Sequence, residues 1–86
     1  GAPMTAWRGD LVPDQSMIRI INNVDEFRRL CERPAPGADR FVDWVEDMEE
    51  LAGQAFTVEG LDEDDRAYNI LAHYRVPFDA CILVMM

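Results

Sequence analysis

The shortness of the chain limits its fold more than any other feature, because eighty-six residues can enclose one hydrophobic core and not two. A chain of this length buries only roughly 60–65% of its unfolded surface, so a modest margin of stability is expected. The material for that core is nonetheless present. Trp7, Phe27, Phe41, Trp44, Phe56, Tyr68, Tyr74 and Phe78 are spread along the chain and 49% of residues are hydrophobic, which argues against intrinsic disorder.

Local signals then divide the chain into short pieces. Gly1-Ala2-Pro3-Met4 reads as a cloning remnant, and residues 5–16 read as an extended, Pro- and Asp-punctuated lead that Trp7 and Leu11-Val12 could tie down. The division expected is therefore 1–16 as a remnant plus an extended segment, and 17–86 as the domain. Met17-Ile18-Arg19-Ile20-Ile21 is short and β-rich, a strand that Asn22-Asn23 stops. Asn23 stands three residues before Glu26, the spacing of a capped helix start, and Val24, Phe27 and Leu30 recur on one face. Arg33-Pro34-Ala35-Pro36-Gly37 ends that helix.

Phe41, Val45, Met48 and Ala52 recur at three- and four-residue steps, which predicts a helix over 40–52 with Gly53 as terminator. A shorter helical turn within a long loop is the competing reading. Ala55–Glu59, Arg66–Leu71 and Cys81–Val84 read as strands, the acidic run Leu61–Asp65 as a hairpin loop and the stretch containing Tyr74 as a connection. A strand, a long loop with helical turns and then closely spaced strands is the order of a small, mainly β, SH3-like barrel with one or two short helices.

A formal charge of −9, from seventeen acidic and eight basic residues, opposes binding to nucleic acid or to an anionic membrane. The field favours a basic peptide or protein face, although such charge also serves solubility alone. Cys31 and Cys81 lie among apolar neighbours, without disulfide-framework or zinc spacing, and are expected to be buried free thiols in an intracellular, cytoplasmic protein. No run approaches the 18 apolar residues of a membrane span. Arg8-Gly9-Asp10 is an integrin-type signal only on an exposed loop of a secreted protein, and chance accounts for it here.

Motifs that carry chemistry do not come together. His73 is the single histidine, so no histidine-based metal cluster can form, and a Cys–His couple would need a thiol from a buried strand or helix. Asp62 and Asp64 match the first two positions of an EF-hand loop, but Arg66, Ala67 and His73 occupy places that need an oxygen ligand, Gly and Glu. Asp43, Glu46, Asp47, Glu49 and Glu50 read as a solvated helix face. No enzymatic activity and no cofactor are expected.

Met17-Ile18-Arg19-Ile20 through Val24-Asp25-Glu26-Phe27 and Leu30, then Trp44, Met48, Leu51, Gly53, the acidic hairpin 62–65 and Val76–Leu83, resemble the SH3-like repeat of the mind bomb ubiquitin ligases over residues 17–84. Val76-Pro77-Phe78-Asp79 stands where that family has Asn-Pro, and its glycines before the Trp are missing. The resemblance implies a protein-recognition module within a larger ligase-like protein, and a monomeric domain is expected. By analogy at the level of the fold, Trp44 and Tyr74 would wall an aromatic slot, and Asp25, Glu26, Glu46 and Asp47 would form a rim for Lys or Arg. A strand added to a sheet edge is a second way to bind peptide. Two alternatives stand beside this one: a spacer that packs on neighbouring domains, and a small α+β regulatory domain with a full helix over 40–52.

Overall fold

The computed structural model describes residues 2–3 and 6–86. Strand β1 is Ala2–Pro3 and β2 is Met17–Ile20. In β2 the pleat sends Ile18 and Ile20 into the core and Arg19 outward. Helix α1, Val24–Cys31, begins where Asn23 Oδ1 accepts the Glu26 amide at 2.9 Å, as the spacing predicts. It buries Phe27, Leu30 and Cys31 and rests against the strand Tyr74–Pro77 and the turn that follows it.

The long loop after α1 returns to the place where it left. The Gly53 amide donates to Ile20 O at 3.0 Å and the Ile20 amide donates to Gln54 O at 2.9 Å. Gly53 has φ +79°, and a Cβ there would stand 2.5 Å from Asn22 Oδ1, so this closure requires glycine. Within the loop the full helix over 40–52 does not form, and the shorter helical turn does, as a 3₁₀ segment, Glu46–Leu51. Asp43–Asp47, Glu46–Glu50 and Glu46–Glu49 would stack like charges at i,i+4 and i,i+3 in an α-helix, and no cation falls among them. Residues 41–45 therefore run extended: Val42 is buried and Trp44 half-buried, while Phe41, Asp43 and Val45 face solvent.

Strands β3 (Ala55–Thr57), β4 (Gly60–Asp62), β5 (Ala67–Ile70), β6 (Tyr74–Pro77) and β7 (Cys81–Met85) complete the chain. They form two antiparallel sheets, ordered β1-β7-β2-β3 and β4-β5-β6. The chain crosses between sheets at Val58-Glu59, where the Val58 amide donates to Ser16 O and the Glu59 amide to Asn69 O. The result is a small α+β domain with one short helix and no closed barrel among the described strands. Pro77 and the 3₁₀ turn Phe78–Ala80 separate β6 from β7, so the two sheets stay unjoined on that side.

Two further expectations change. The acidic run is only partly a loop, since Leu61-Asp62 belongs to β4, and the connection containing Tyr74 is strand β6. The β5–β6 turn escaped notice because Leu71 (φ 49°) and Ala72 (φ 66°) hold left-handed backbone without glycine or asparagine. The Ala72 amide is secured there by Glu59 Oε1 at 2.9 Å. The sequence left open whether residues 5–16 join the fold. Leu11 (3% exposed) and Ser16 (fully buried) lie in the core, and Ser16 Oγ accepts from the Val12 amide and donates to Met86 O. The remnant reading of Gly1–Met4 falls largely outside the described residues; the backbone of Ala2–Pro3 pairs with Leu83 and Ile82.

Candidate functional site

All eight cations of the chain are arginines, and all but Arg19 engage a carboxylate. Arg19 instead donates to Gly53 O. The densest pairing surrounds the β4–β5 hairpin. There Arg75 reaches Asp62 at 3.0 Å and the buried Asp65 at 2.6 Å, Arg40 approaches Asp65 at 3.4 Å, and Arg66 meets Glu63 at 3.1 Å. Burial opposes the Arg75 charge, yet the hydrogen bonds to Asp62 and Asp65 outweigh it and raise its pKa. Arg8 is spent on Asp10 at 2.8 and 3.0 Å, so the two charged side chains of the Arg-Gly-Asp triplet neutralise each other.

Half of the carboxylates left without an arginine stand on one stretch of the chain. Asp43, Glu46, Asp47, Glu49 and Glu50 have no ion-pair partner among the described residues, and all are exposed. They stand on one ridge, the extended 43–45 segment and the 3₁₀ turn after it. Burial of Val42, Met48 and Leu51 underneath anchors this ridge, and the Met48 amide donates to Val45 O at 2.9 Å. An open groove of about 520 Å³ runs along one side, lined by Val24, Glu46, Asp47, Glu49 and Glu50. A second hollow of about 300 Å³ is lined by Asp43, Val45, Met48, His73, Tyr74 and Arg75. Val45 is 48% exposed beside the second hollow, and Phe41, a few residues earlier on the same loop, is 50% exposed.

The residues singled out in the sequence are distributed as follows. Glu46 and Asp47 line the first groove, and Asp25 is exposed in the adjoining first turn of α1. Glu26 is engaged: Arg29 binds it at 2.5 and 2.9 Å, and that hydrogen bond holds its carboxyl below the usual range. Tyr74 lines the second hollow, tilted against His73 with ring centroids 4.2 Å apart. Trp44 lines neither. Its ring meets Phe27 edge-on at 5.2 Å, with the Arg28 guanidinium 6.0 Å from its centroid, so it ties the loop to α1. Trp44 and Tyr74 do not share a slot.

Sequence reasoning passed over Phe41 and Val45 as ligand-facing residues, because the helical pattern assigned them to the core. The signal was the two-residue alternation Phe41/Asp43/Val45 against Val42/Trp44. Asp43, Glu49 and Glu50 were noticed only as solvated charge.

Cys31 and Cys81 are free and buried. Burial, with Asp79 and Glu32 contributing, pushes the Cys31 thiol up to about 12, and burial with Asp79 raises Cys81 as well. Neither thiol is poised as a nucleophile. Among the described residues no group of three or more His, Cys, Asp or Glu side chains gathers as a metal site, and no helix is long and apolar enough to cross a membrane. Comparison with family models, with curated proteins and with solved structures finds no match, so the reading of the site rests on its own chemistry.

Proposed function

We propose that this chain is a protein-interaction module of SH3-like architecture that receives a basic, extended peptide along the 41–51 ridge. One observation carries the reading: of the carboxylates that no arginine pairs, five stand together within 43–50 beside open grooves. Uncompensated charge at a concave surface attracts counter-charge and speeds its arrival. Exposed Phe41 and Val45 add apolar contact, and Tyr74 adds an aromatic face.

The strand order supports the architectural part. One sheet runs β7-β2-β3, the other β4-β5-β6; the chain passes between them at Val58-Glu59, and a 3₁₀ turn precedes the last strand. We read that order as SH3-like, in line with the mind bomb repeat resemblance and with a place inside a larger intracellular protein. Its thiols, both buried, favour binding over thiol chemistry.

The test is selection of random peptides against the folded domain at low and high salt. A shared basic motif, weakened by salt and by joint neutralisation of Glu46, Asp47, Glu49 and Glu50 to amides, is the expected result. Motif-free binding that merely fades with salt sinks the proposal. Trp44→Ala is a poor probe, since it removes support from Phe27 as well as any ligand contact. A spacer function has its own observation: Val84, Met85 and Met86 are exposed near Val12, whose amide shares Ser16 Oγ with the Met86 carbonyl. A packing partner for that apolar patch would favour the spacer.

A further inference from the structure

Away from the ridge, Trp7 sits in an aromatic cluster of its own. Its indole stacks on the buried Tyr68, with centroids 5.0 Å apart and planes 10° apart, and meets Phe78 edge-on at 6.0 Å. The Arg66 guanidinium covers it at 5.5 Å, and its Nε1–H points to Glu63 Oε2 at 3.3 Å. The Arg8 amide donates to the Tyr68 hydroxyl at 3.2 Å. These contacts together describe a slot for a flat aromatic ring followed by one free backbone N–H.

Every wall of that slot is held by something other than Trp7. Tyr68 belongs to β5, the central strand of its sheet. Phe78 is fixed by its amide, which donates to Arg66 O at 3.0 Å. Arg66 pairs with Glu63, and its Nε lies so near Gly37 that a Cβ there would come within 3.3 Å. The slot is therefore built by residues 37 and 63–78, whereas the occupant enters from a different part of the chain, 60 residues away from Tyr68 at Arg8.

The occupant runs between two anchors, and upstream of it the backbone of Ala2–Pro3 pairs with β7. Downstream it is anchored by buried Leu11 and by the Asp14 amide on Val58 O at 2.7 Å. Upstream of Leu11, residues 6–10 depend on the Trp7 ring, the Arg8 amide and an exposed contact from the Arg8 guanidinium to Met86 Sδ at 3.2 Å. Arg8 and Asp10 pair within the segment itself, leaving Glu63 as the one charged partner that Trp7 meets by hydrogen bond.

We propose that the Tyr68–Phe78–Arg66 slot is a docking site for a tryptophan-bearing extended segment, and that residues 6–10 are its ligand in cis, displaced when such a segment arrives from a partner. This goes beyond the acidic ridge, with which the slot shares no residue, and it calls for stacking rather than net charge.

The probe is the peptide Ala-Trp-Arg-Gly-Asp, matching residues 6–10, titrated into ¹⁵N-labelled Trp7→Ala protein and into the unaltered chain. Tethered ligands compete at an effective concentration of about 1 mM. A peptide with a Kd of about 0.1 mM for the open slot is then weakened about tenfold in the unaltered chain. Shifts at Glu63, Arg66, Tyr68 and Phe78, lost when the peptide's Trp becomes Ala and little changed by salt or by neutralising the ridge, are expected. Equal affinity for both proteins, or a folded Trp7→Ala that shows no such shifts, overturns the proposal. So does global unfolding of Trp7→Ala, since Trp7 would then be an ordinary core residue. Hydrogen exchange on the unaltered chain gives an independent check: the Arg8 amide should be at least about a hundredfold less protected than the β5 amides, and equal protection refutes a displaceable segment.

Discussion

The β4–β5 hairpin and the 41–51 ridge are built from the same acidic composition and use it in opposite ways. Around the hairpin, Asp62, Glu63 and Asp65 each meet an arginine, and Asp65 is nearly fully buried because Arg75 and Arg40 reach it. On the ridge, five carboxylates face water unpaired, above apolar anchors that do the structural work. Charge holds the first region together. In the second it contributes nothing to the fold, and repulsion among the carboxylates even prevents an α-helix. Two acidic stretches that look alike in sequence can therefore differ in kind: one is a structural network, the other a solvated surface.

The largest expected effect comes from breaking the network. Arg75→Met leaves Asp65 buried with only the longer Arg40 contact, and should destabilise the domain by about 2–3 kcal/mol in urea unfolding, somewhat below a fully buried pair because Arg75 is itself part-exposed. A loss under 0.5 kcal/mol would place the hairpin network in the same class as the ridge.

A smaller effect sharpens the contrast through pH. Burial, the dominant influence, raises Tyr68 to about 12, so the folded state keeps a proton that the unfolded chain releases near pH 10. The unfolded state then binds fewer protons, and stability falls as pH rises from about 10 to 12, by about 1–2 kcal/mol. The buried Cys31 adds a similar decline that starts lower, near the ordinary thiol range. Tyr68→Phe should remove the upper part of this alkaline loss, measured as Tm against pH, while ridge variants leave it intact.

The smallest effect belongs to the ridge. Amide replacements at Glu46, Asp47, Glu49 and Glu50 together should change stability by less than about 0.5 kcal/mol, and at low salt in the favourable direction as repulsion is relieved. A clear destabilisation would mean that these carboxylates support the fold and would erase the distinction from the hairpin.

Much of the local architecture was legible in advance. Strand β2, the Asn23 cap and the start of α1 follow from neighbours within four residues, where propensity and capping act. The burial of both cysteines followed from their apolar neighbours. Between a full helix over 40–52 and a shorter turn within a long loop, apolar spacing alone does not choose; the like-charge spacing superimposed on it favours the shorter turn that forms. Strand β6 was missed because its turn uses Leu71 and Ala72 where Gly or Asn would have announced it.

The candidate site was legible only in part. Glu46 and Asp47 were found through charge, but Trp44 packs on Phe27 instead of facing Tyr74, a matter decided by where α1 lies against the loop. By itself, the sequence determined that one small core would form from short elements, that a helix would start at Val24, and that the chain would carry excess negative charge. Only the tertiary structure decided which carboxylates that charge resides on, and that Trp7 would lie on Tyr68. Pairing of Arg75 with Asp65 or stacking of Trp7 on Tyr68 depends on contacts between distant segments, which no local propensity encodes. Eight arginines look equivalent along the chain, and the packing of the two sheets alone sets which carboxylates each can reach.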